Sequence, residues 1–412
     1  MSRYAPWSLV DLVADLRTGR TTPADAVARS VDRIAATEAQ VRAWVGEVRA
    51  PDPVATGPLG GVPMGIKDIV DLAGWPTRCG SVLRADDGPV DVDAEVVTAW
   101  RAAGGLPLGK TVTTEFAYFA PGPTDNPAAP GHTPGGSSSG SAAAVAAGQV
   151  PLATGSQTAG SVTRPAAYCG VASLVLSRGG IGDGGVVGLA PSLDSHGILA
   201  AGVADVALAW AALLGVAVPA PVRPRVLVWG GQSLGPVDPA MAAALDRAEA
   251  ALRGAGATTT RLTDDRWVLD AAAAHPVVMA YEAAGTRAAE LARADRLSEP
   301  LAALLRIGAA TTGDAYAAAR AAVAASADRL GELLAGHDVL LCPAAPGPAP
   351  AGHAATGDPL HSRPWQAIGA PQVGVPALRA PDGRPLGLQV VGRPGADDAA
   401  LAAAAWVGRH LS

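Results

Sequence analysis

Apolar and polar positions along the chain first predict helices and then an interleaving of strands and helices. Residues 8–17 and 22–37 have helical spacing, and the second segment opens with Thr22-Pro23, a capping residue followed by the proline favoured at a first helical position. Residues 62–70 are almost entirely apolar around Lys67, which is typical of a buried strand. Residues 225–229 predict a second such strand.

The C-terminal half continues the alternation. Residues 239–253 predict a helix, residues 262–327 are mainly helical with varied polarity, and residues 337–343 predict a strand. We expect the 262–327 segment to cover the substrate side of a site as a helical cap. Because strands and helices alternate, we expect an α/β fold with a large, mixed, mostly parallel β-sheet covered on both faces by helices. No linker is evident, so residues 1–412 are expected to form a single domain.

Composition narrows the function classes. Of 412 residues, 49% are hydrophobic and 17% charged, which supplies a globular core, and the net charge of −6 argues against nucleic-acid binding. Three scattered cysteines indicate neither a metal site nor a disulfide framework, and no cofactor motif is supported. The chain shows no signal-peptide layout and no apolar run of about 18 residues. We therefore expect a cytoplasmic protein that does not contact membranes; a homodimer is compatible with the sequence.

The most informative segment is 155–165, in which small residues lead to Ser161. Glycine and alanine let the backbone approach a ligand closely, so several N–H groups could face an incoming oxygen. A serine at the end of such a loop is typical of a nucleophile beside an oxyanion hole. The alternative is a glycine-rich turn with an ordinary serine, and this segment alone does not decide between them.

Two upstream segments change that balance, the serine-rich residues 134–148 and residues 61–68. Together, the three segments resemble the amidase signature family of serine hydrolases. That family uses a lysine, a serine held by a cis peptide bond, and a second serine as nucleophile. The resemblance places these roles on Lys67, Ser137 and Ser161, and the family's separation between the two serines is kept.

The resemblance implies the amidase signature fold and a cofactor-free hydrolase acting on a small linear amide. Ser161 would form an acyl-enzyme, with Lys67 as base and Ser137 as proton relay. The product would be a carboxylate plus ammonia or an amine. Lysine is a base only when neutral, which the apolar surroundings of Lys67 favour; the alternative is a surface lysine paired with Asp68. The implied oxyanion donors are the backbone N–H groups of Thr158, Ala159, Gly160 and Ser161.

Two residues of the nucleophile loop are most similar to the malonamidase-like branch of the family. Gln157 replaces the usual aspartate, and Arg164 follows the nucleophile by three positions. In that branch the matching arginine holds the acid group of a dicarboxylic monoamide, so Arg164 is a candidate substrate-binding residue. The alternative is an arginine that braces the loop, and the sequence leaves both open.

Two further motifs suggest other chemistry and are rejected on their context. Residues 104–111 match the phosphate-loop pattern, but they follow a predicted helix over 93–103, capped by Asp93, instead of a strand. Residues 136–140 match the nucleophile elbow G-x-S-x-G and would nominate Ser138. Prolines and glycines directly before them cannot supply the strand which that motif needs.

The chain also departs from the family pattern. Residues 174–177 read Leu-Val-Leu-Ser where relatives usually carry Leu-Lys-Pro-Thr, and Ala159 replaces a glycine. The alanine is expected to fit unless that position needs a positive φ. The family also contains amidotransferase-type or acyl-transfer subunits that work with a partner protein. That role is the alternative function, although the chain is shorter than such subunits.

Overall fold

The computed structural model describes residues 4–411, and one sheet connects all the strands in that range. They are β1 (Trp44–Val45), β2 (Val62–Lys67), β3 (Gly105–Thr111), β4 (Leu152–Gln157), β5 (Ala172–Val175), β6 (Ser195–Ala200), β7 (Arg225–Val228), β8 (Thr258–Arg261), β9 (Val339–Pro343), β10 (Gln372–Arg379) and β11 (Pro385–Val391). Their order across the sheet is β1-β3-β2-β4-β6-β5-β10-β11-β9-β7-β8.

Helices surround this sheet. Within residues 4–411 they are α1 (Leu9–Thr18), α2 (Pro23–Val41), α3 (Glu95–Ala102), α4 (Ser139–Ala146), α5 (Thr163–Cys169), α6 (Val203–Leu214), α7 (Pro239–Gly254), α8 (Arg266–Thr286), α9 (Ala288–Leu291), α10 (Glu299–Ala310), α11 (Gly313–Gly336), α12 (Arg363–Ile368) and α13 (Asp397–Leu411). Short 3₁₀ turns occur at Val82–Arg84, Glu115–Ala117 and Ala294–Arg296.

The sheet is mixed, as expected, but its two kinds of pairing are segregated. Parallel pairs join β2 to β3 and β4 near one end, and β7 to β8 and β9 at the other. The strands between β4 and β9 pair antiparallel, and so does β1 on β3. The expected parallel pairing therefore holds towards the ends of the sheet, whereas its centre is antiparallel. Short connections explain part of this, since β10 and β11 form a hairpin closed by a hydrogen bond from Ala380 N–H to Arg384 O.

Both faces of the sheet are covered. The largest apolar cluster packs α1, α3, α6, α7 and α13 on one face. On the other face, α2, α4 and α5 cover one half and α8, α11 and α12 cover the other. Helix α4 lies very close to the backbone beside β1 and β3. A Cβ added at Gly140 would lie only 2.2 Å from Ala43 O and 2.3 Å from Val112 N. This contact accounts for the run of small residues in α4.

Most of the predicted helix starts are confirmed. Ser8 caps α1 by accepting from Asp11 N–H, and Thr22 and Asp25 form a capping box on α2. The predicted Asp93 cap is wrong, because α3 begins at Glu95 after Ala94 without a side-chain cap. The Asp93 carboxylate instead accepts from Ala73 N–H at 2.8 Å and from Arg101 Nε at 2.7 Å.

The predicted helical segment 262–327 contains α8, α9, α10 and most of α11. Helix α8 continues through Pro276 and packs against α10, α11 and α12. Helix α8 also reaches the end of β4, because His275 contacts the carbonyl of Thr158, the residue after that strand. Among residues 4–411, no helix combines the length and apolarity needed to cross a membrane.

Candidate active site

Lys67 ends β2 and is completely buried, because β2 lies between β3 and β4. Its Nζ donates to Ser137 Oγ at 2.7 Å, to Ser156 Oγ at 2.8 Å and to the Ser156 carbonyl at 3.2 Å. These partners are uncharged, and no carboxylate among the described residues contacts Nζ. The alternative of a surface lysine paired with Asp68 is therefore wrong.

Burial sets the protonation of Lys67. Removal from water lowers its pKa from 10.5 to about 7, although the Asp194 carboxylate acts in the opposite direction. A substantial neutral fraction therefore exists near neutral pH. A neutral Nζ can accept a proton from the hydroxyl it touches, which is the requirement for a general base.

Ser137 lies at the start of the loop that leads into α4. The Gly136–Ser137 peptide bond is cis, as the family resemblance implies. Ser137 and Ser161 line the same cavity, and the neighbouring Ser138 N–H donates to the Ser161 carbonyl at 3.1 Å. Within residues 4–411, Ser161 Oγ has no hydrogen-bond partner. The structure therefore joins Lys67 to Ser137 directly and brings Ser161 to the same cavity with a free hydroxyl.

The nucleophile loop connects β4 to α5. At its base, Gln157 Oε1 accepts from the N–H groups of Val162 and Thr163, at 2.9 and 3.1 Å, so this side chain satisfies the start of α5. Gln157 Nε2 donates to the side-chain oxygen of Gln366 at 2.9 Å. An aspartate has no donor for that oxygen, which explains glutamine at this position.

The four residues predicted to supply the oxyanion donors lie on this loop and line the cavity of Ser161. They are Thr158, Ala159, Gly160 and Ser161. None of their backbone N–H groups is paired with an acceptor in the described part of the chain. Ala159 does not adopt a positive φ, so alanine fits where relatives have glycine. Unpaired backbone N–H groups on residues that line the cavity of Ser161 are the type of donor that can bind the oxygen of a carbonyl under attack.

Arg164 is buried and lines the same cavity, and its contacts show the predicted bracing of the loop. Its Nη2 donates to Gly136 O at 2.6 Å and to Thr356 Oγ1 at 3.2 Å, which braces the loop before Ser137. Its Nε and Nη1 have no partner among the described residues. Burial lowers the pKa of Arg164 to about 10, so the guanidinium stays charged at neutral pH. Two donor nitrogens of a charged guanidinium, Nε and Nη1, therefore have no acceptor among the described residues.

Two cavities meet at the nucleophile loop. The smaller is lined by Ser137, Ser161 and Arg164. The larger has mainly apolar walls that include Val187, and it is also lined by the charged Arg287. Both are lined by Ala117, Thr158 and Leu189, so these three residues form the boundary between them.

Three residues that sequence reasoning did not assign to the site contact the nucleophile loop. Asp194 accepts from Thr158 Oγ1 at 2.5 Å, His275 Nε2 lies 2.7 Å from Thr158 O, and Gln366 Nε2 donates to Gln157 O at 3.0 Å. Burial raises the pKa of Asp194 to about 6. His275 and Gln366 come from the distant helices α8 and α12, and no local spacing in the sequence signals any of the three contacts.

The two rejected motifs have structural roles. Lys110, the lysine of the phosphate-loop pattern, lies within β3 and pairs with Asp68, with Nζ and Oδ1 3.1 Å apart. Ser138 is buried at the start of α4, and the residues directly before it form no strand. Neither segment has the strand-to-helix order that its motif requires.

Among residues 4–411, no group of three or more His, Cys, Asp or Glu side chains is arranged to hold a metal ion. The three cysteines are free and buried.

The amidase family model matches residues 25–401, and the chain belongs to that family. One curated relative is a glutamyl-tRNA(Gln) amidotransferase subunit of Treponema pallidum, 44% identical over 188 residues. That match covers 44% of this chain and 37% of the relative. Other curated relatives carry the same name, and the matched part spans between 33% and 46% of their length.

Solved structures match nearly the whole chain. A crystal structure of an amidase has a TM-score of 0.88 and 28% identity, covering 98% of this chain and 100% of the other. A glutamyl-tRNA(Gln) amidotransferase subunit from Thermotoga maritima has a TM-score of 0.80 and 26% identity, covering 93% and 90%. The fold is therefore the amidase signature fold, whereas the malonamidase-like branch stays a prediction.

Proposed function

We propose that this protein cleaves the carbon–nitrogen bond of a small carboxamide through an acyl-enzyme on Ser161. The observation that carries the proposal is the buried Lys67 Nζ, 2.7 Å from Ser137 Oγ and without a carboxylate partner, beside the cavity of Ser161. A lysine in that state can drive the proton transfer that a serine nucleophile needs.

The steps follow from these positions. Ser161 Oγ attacks the amide carbon while its proton passes to Ser137 Oγ and the proton of Ser137 passes to neutral Lys67 Nζ. The free N–H groups of residues 158–161 bind the resulting oxyanion. Returning a proton through Ser137 to the amide nitrogen breaks the carbon–nitrogen bond and releases ammonia or an amine. Water then attacks the acyl ester by the same proton route and releases the carboxylate.

The cavities indicate the kind of substrate. We propose that the scissile amide occupies the smaller cavity, where the unpaired Nε or Nη1 of Arg164 would donate to a carboxylate on the substrate. The larger cavity, past Ala117 and Leu189, has the apolar lining expected for a hydrocarbon portion. A linear amide with an acid group near the scissile carbonyl fits both features.

A second candidate function is that of an amidotransferase subunit, in which the same cleavage supplies ammonia to a partner protein. The observation that favours it is the name shared by the curated relatives, which are glutamyl-tRNA(Gln) amidotransferase subunits. These names support the second candidate more strongly than a free-standing hydrolase. The chemistry at Ser161 would be the same for both.

Labelling with a serine-directed fluorophosphonate tests the shared chemistry. We expect a single adduct on Ser161, absent in Ser161→Ala, while Ser138→Ala is labelled like wild type. An adduct on Ser138, or no labelling of the folded protein, would contradict the proposal. Ammonia release from a panel of simple amides then separates the two candidates. Ready turnover by the isolated chain supports the hydrolase, and turnover only with an added partner protein supports the amidotransferase role.

A further inference from the structure

Three backbone carbonyl groups of the nucleophile loop accept hydrogen bonds, two of them from side chains of distant helices. The carbonyl of Gln157 accepts from Gln366 Nε2 at 3.0 Å, and the carbonyl of Thr158 is 2.7 Å from His275 Nε2. A carbonyl oxygen only accepts, so His275 Nε2 carries the proton in this contact. The carbonyl of Gly160 accepts from Arg164 N–H at 3.2 Å.

In a trans peptide unit the carbonyl and the following N–H point in opposite directions. Fixing a carbonyl on one side therefore aims the next N–H to the other side. The three anchored carbonyls belong to the peptide units whose N–H groups are those of Thr158, Ala159 and Ser161. These N–H groups have no acceptor in the described part of the chain and lie on residues that line the catalytic cavity.

We propose that His275 is a positioning residue for amide cleavage, which aims the Ala159 N–H at the oxyanion by holding the Thr158 carbonyl from behind. The proposal rests on the function proposed above, because it assigns a task within that reaction. His275 does not line the cavity and so acts through the peptide group alone.

The surroundings of His275 fit an uncharged donor. The ring is completely buried, its Nδ1 has no partner among the described residues, and burial lowers its pKa to about 4. The imidazole is therefore neutral at the pH where Lys67 is a base. A neutral donor fixes the peptide without adding a positive charge that would disfavour protonation of Lys67.

His275 also connects the oxyanion loop to α8. Met279 follows His275 by four residues, so both lie on the same face of the helix, and Met279 lines the catalytic cavity. One helix face therefore contacts both the cavity and the back of the loop. His275 and Met279 therefore connect the predicted cap, residues 262–327, to the nucleophile loop and to the catalytic cavity.

The test measures the rate at which a fluorophosphonate labels Ser161 in wild type, His275→Leu and His275→Gln. The leucine variant loses the donor and is expected to react about tenfold to a hundredfold more slowly. The glutamine variant keeps an N–H donor and is expected to react at nearly the wild-type rate. His361→Leu, which removes another buried imidazole outside the nucleophile loop, is the matched control for general loss of packing.

Circular dichroism at the assay temperature must show that each variant is folded. If amide substrates are turned over, His275→Leu should lower kcat with little change in KM, because the loop binds the oxyanion more strongly than the ground-state carbonyl. Equal labelling rates in His275→Leu and His361→Leu would overturn the proposal, and so would a glutamine variant as slow as the leucine variant. Absence of labelling in wild type would instead count against the proposed function itself.

Discussion

Two buried lysines lie side by side in the sheet and have different surroundings. Lys67 ends β2 and Lys110 lies in the adjacent parallel strand β3, where Ile66 is in register with Lys110. Because side chains alternate along a strand, the two ammonium groups are on opposite faces. Lys67 contacts two hydroxyls and a carbonyl, whereas Lys110 pairs with the buried Asp68 at 3.1 Å and donates to Thr77 Oγ1 at 2.9 Å.

The difference shows that burial alone does not decide what a lysine does. Desolvation lowers the pKa of both side chains, but the Asp68 carboxylate opposes the change at Lys110 by direct contact. Lys67 has no such contact and reaches a pKa of about 7. We infer that Lys110 with Asp68 is a structural ion pair and that Lys67 is available for proton transfer.

The largest expected effect comes from replacing Lys67, the buried lysine that has no carboxylate partner. Lys67→Met should lower kcat by about 10²–10⁴, the usual contribution of a general base, while leaving the fold intact. Amide turnover and thermal unfolding of the same preparation check both parts. An unfolded Lys67→Met protein, or one with wild-type turnover, would remove the distinction between the two lysines.

The reverse result is expected at Lys110. Lys110→Met leaves Asp68 buried without its partner and should lower the free energy of unfolding by about 3–5 kcal/mol. Denaturant unfolding measures this loss, and the double variant Lys110→Met/Asp68→Leu should recover much of it because no charge is left unpaired. Failure of the second substitution to restore stability would show that the pair is not the cause.

A third buried cation sharpens the comparison, because Arg164 has two nitrogens without partners among the described residues. If either nitrogen donates to a substrate carboxylate, Arg164→Lys should reduce the preference for carboxylated over neutral amides by about ten- to a hundredfold, which corresponds to roughly 1.5–3 kcal/mol for a charged hydrogen bond. Ratios of kcat/KM over a matched panel give the answer. Equal use of both amide types by wild type would leave Arg164 with a bracing role alone.

Sequence reasoning was strongest where function lies in one segment. The serine-rich and glycine-rich loops predicted Ser137 and Ser161, and the structure brings both to one cavity. Residues 105–111 form β3 instead of a phosphate loop, and Lys110 pairs with Asp68. Sequence reasoning was weakest where distant segments meet. His275 and Gln366 come from α8 and α12, and their contacts with the loop depend on how those helices pack.

Local rules also failed where tertiary contacts compete with them. Asp93 has the chemistry of a helix cap, yet its carboxylate is used by Ala73 N–H and Arg101 instead. The centre of the sheet is antiparallel because several of its strands are neighbours through chain reversals and not through helical crossovers. Alternation of strands and helices along the chain cannot by itself distinguish these two connections.

The central claim is that Lys67 becomes neutral near pH 7, and the pH dependence of Ser161 labelling by a fluorophosphonate tests it most directly. A base must lose its proton to act, so the rate should rise with pH through a midpoint near 7 and, one unit below it, reach only about a tenth of its plateau value. Asp194→Asn should lower this midpoint, because it removes the carboxylate that raises the pKa of Lys67, whereas Lys67→Met should lose the pH dependence together with most of the rate. A midpoint near 10 in wild type, or the same midpoint in Lys67→Met, would contradict the account.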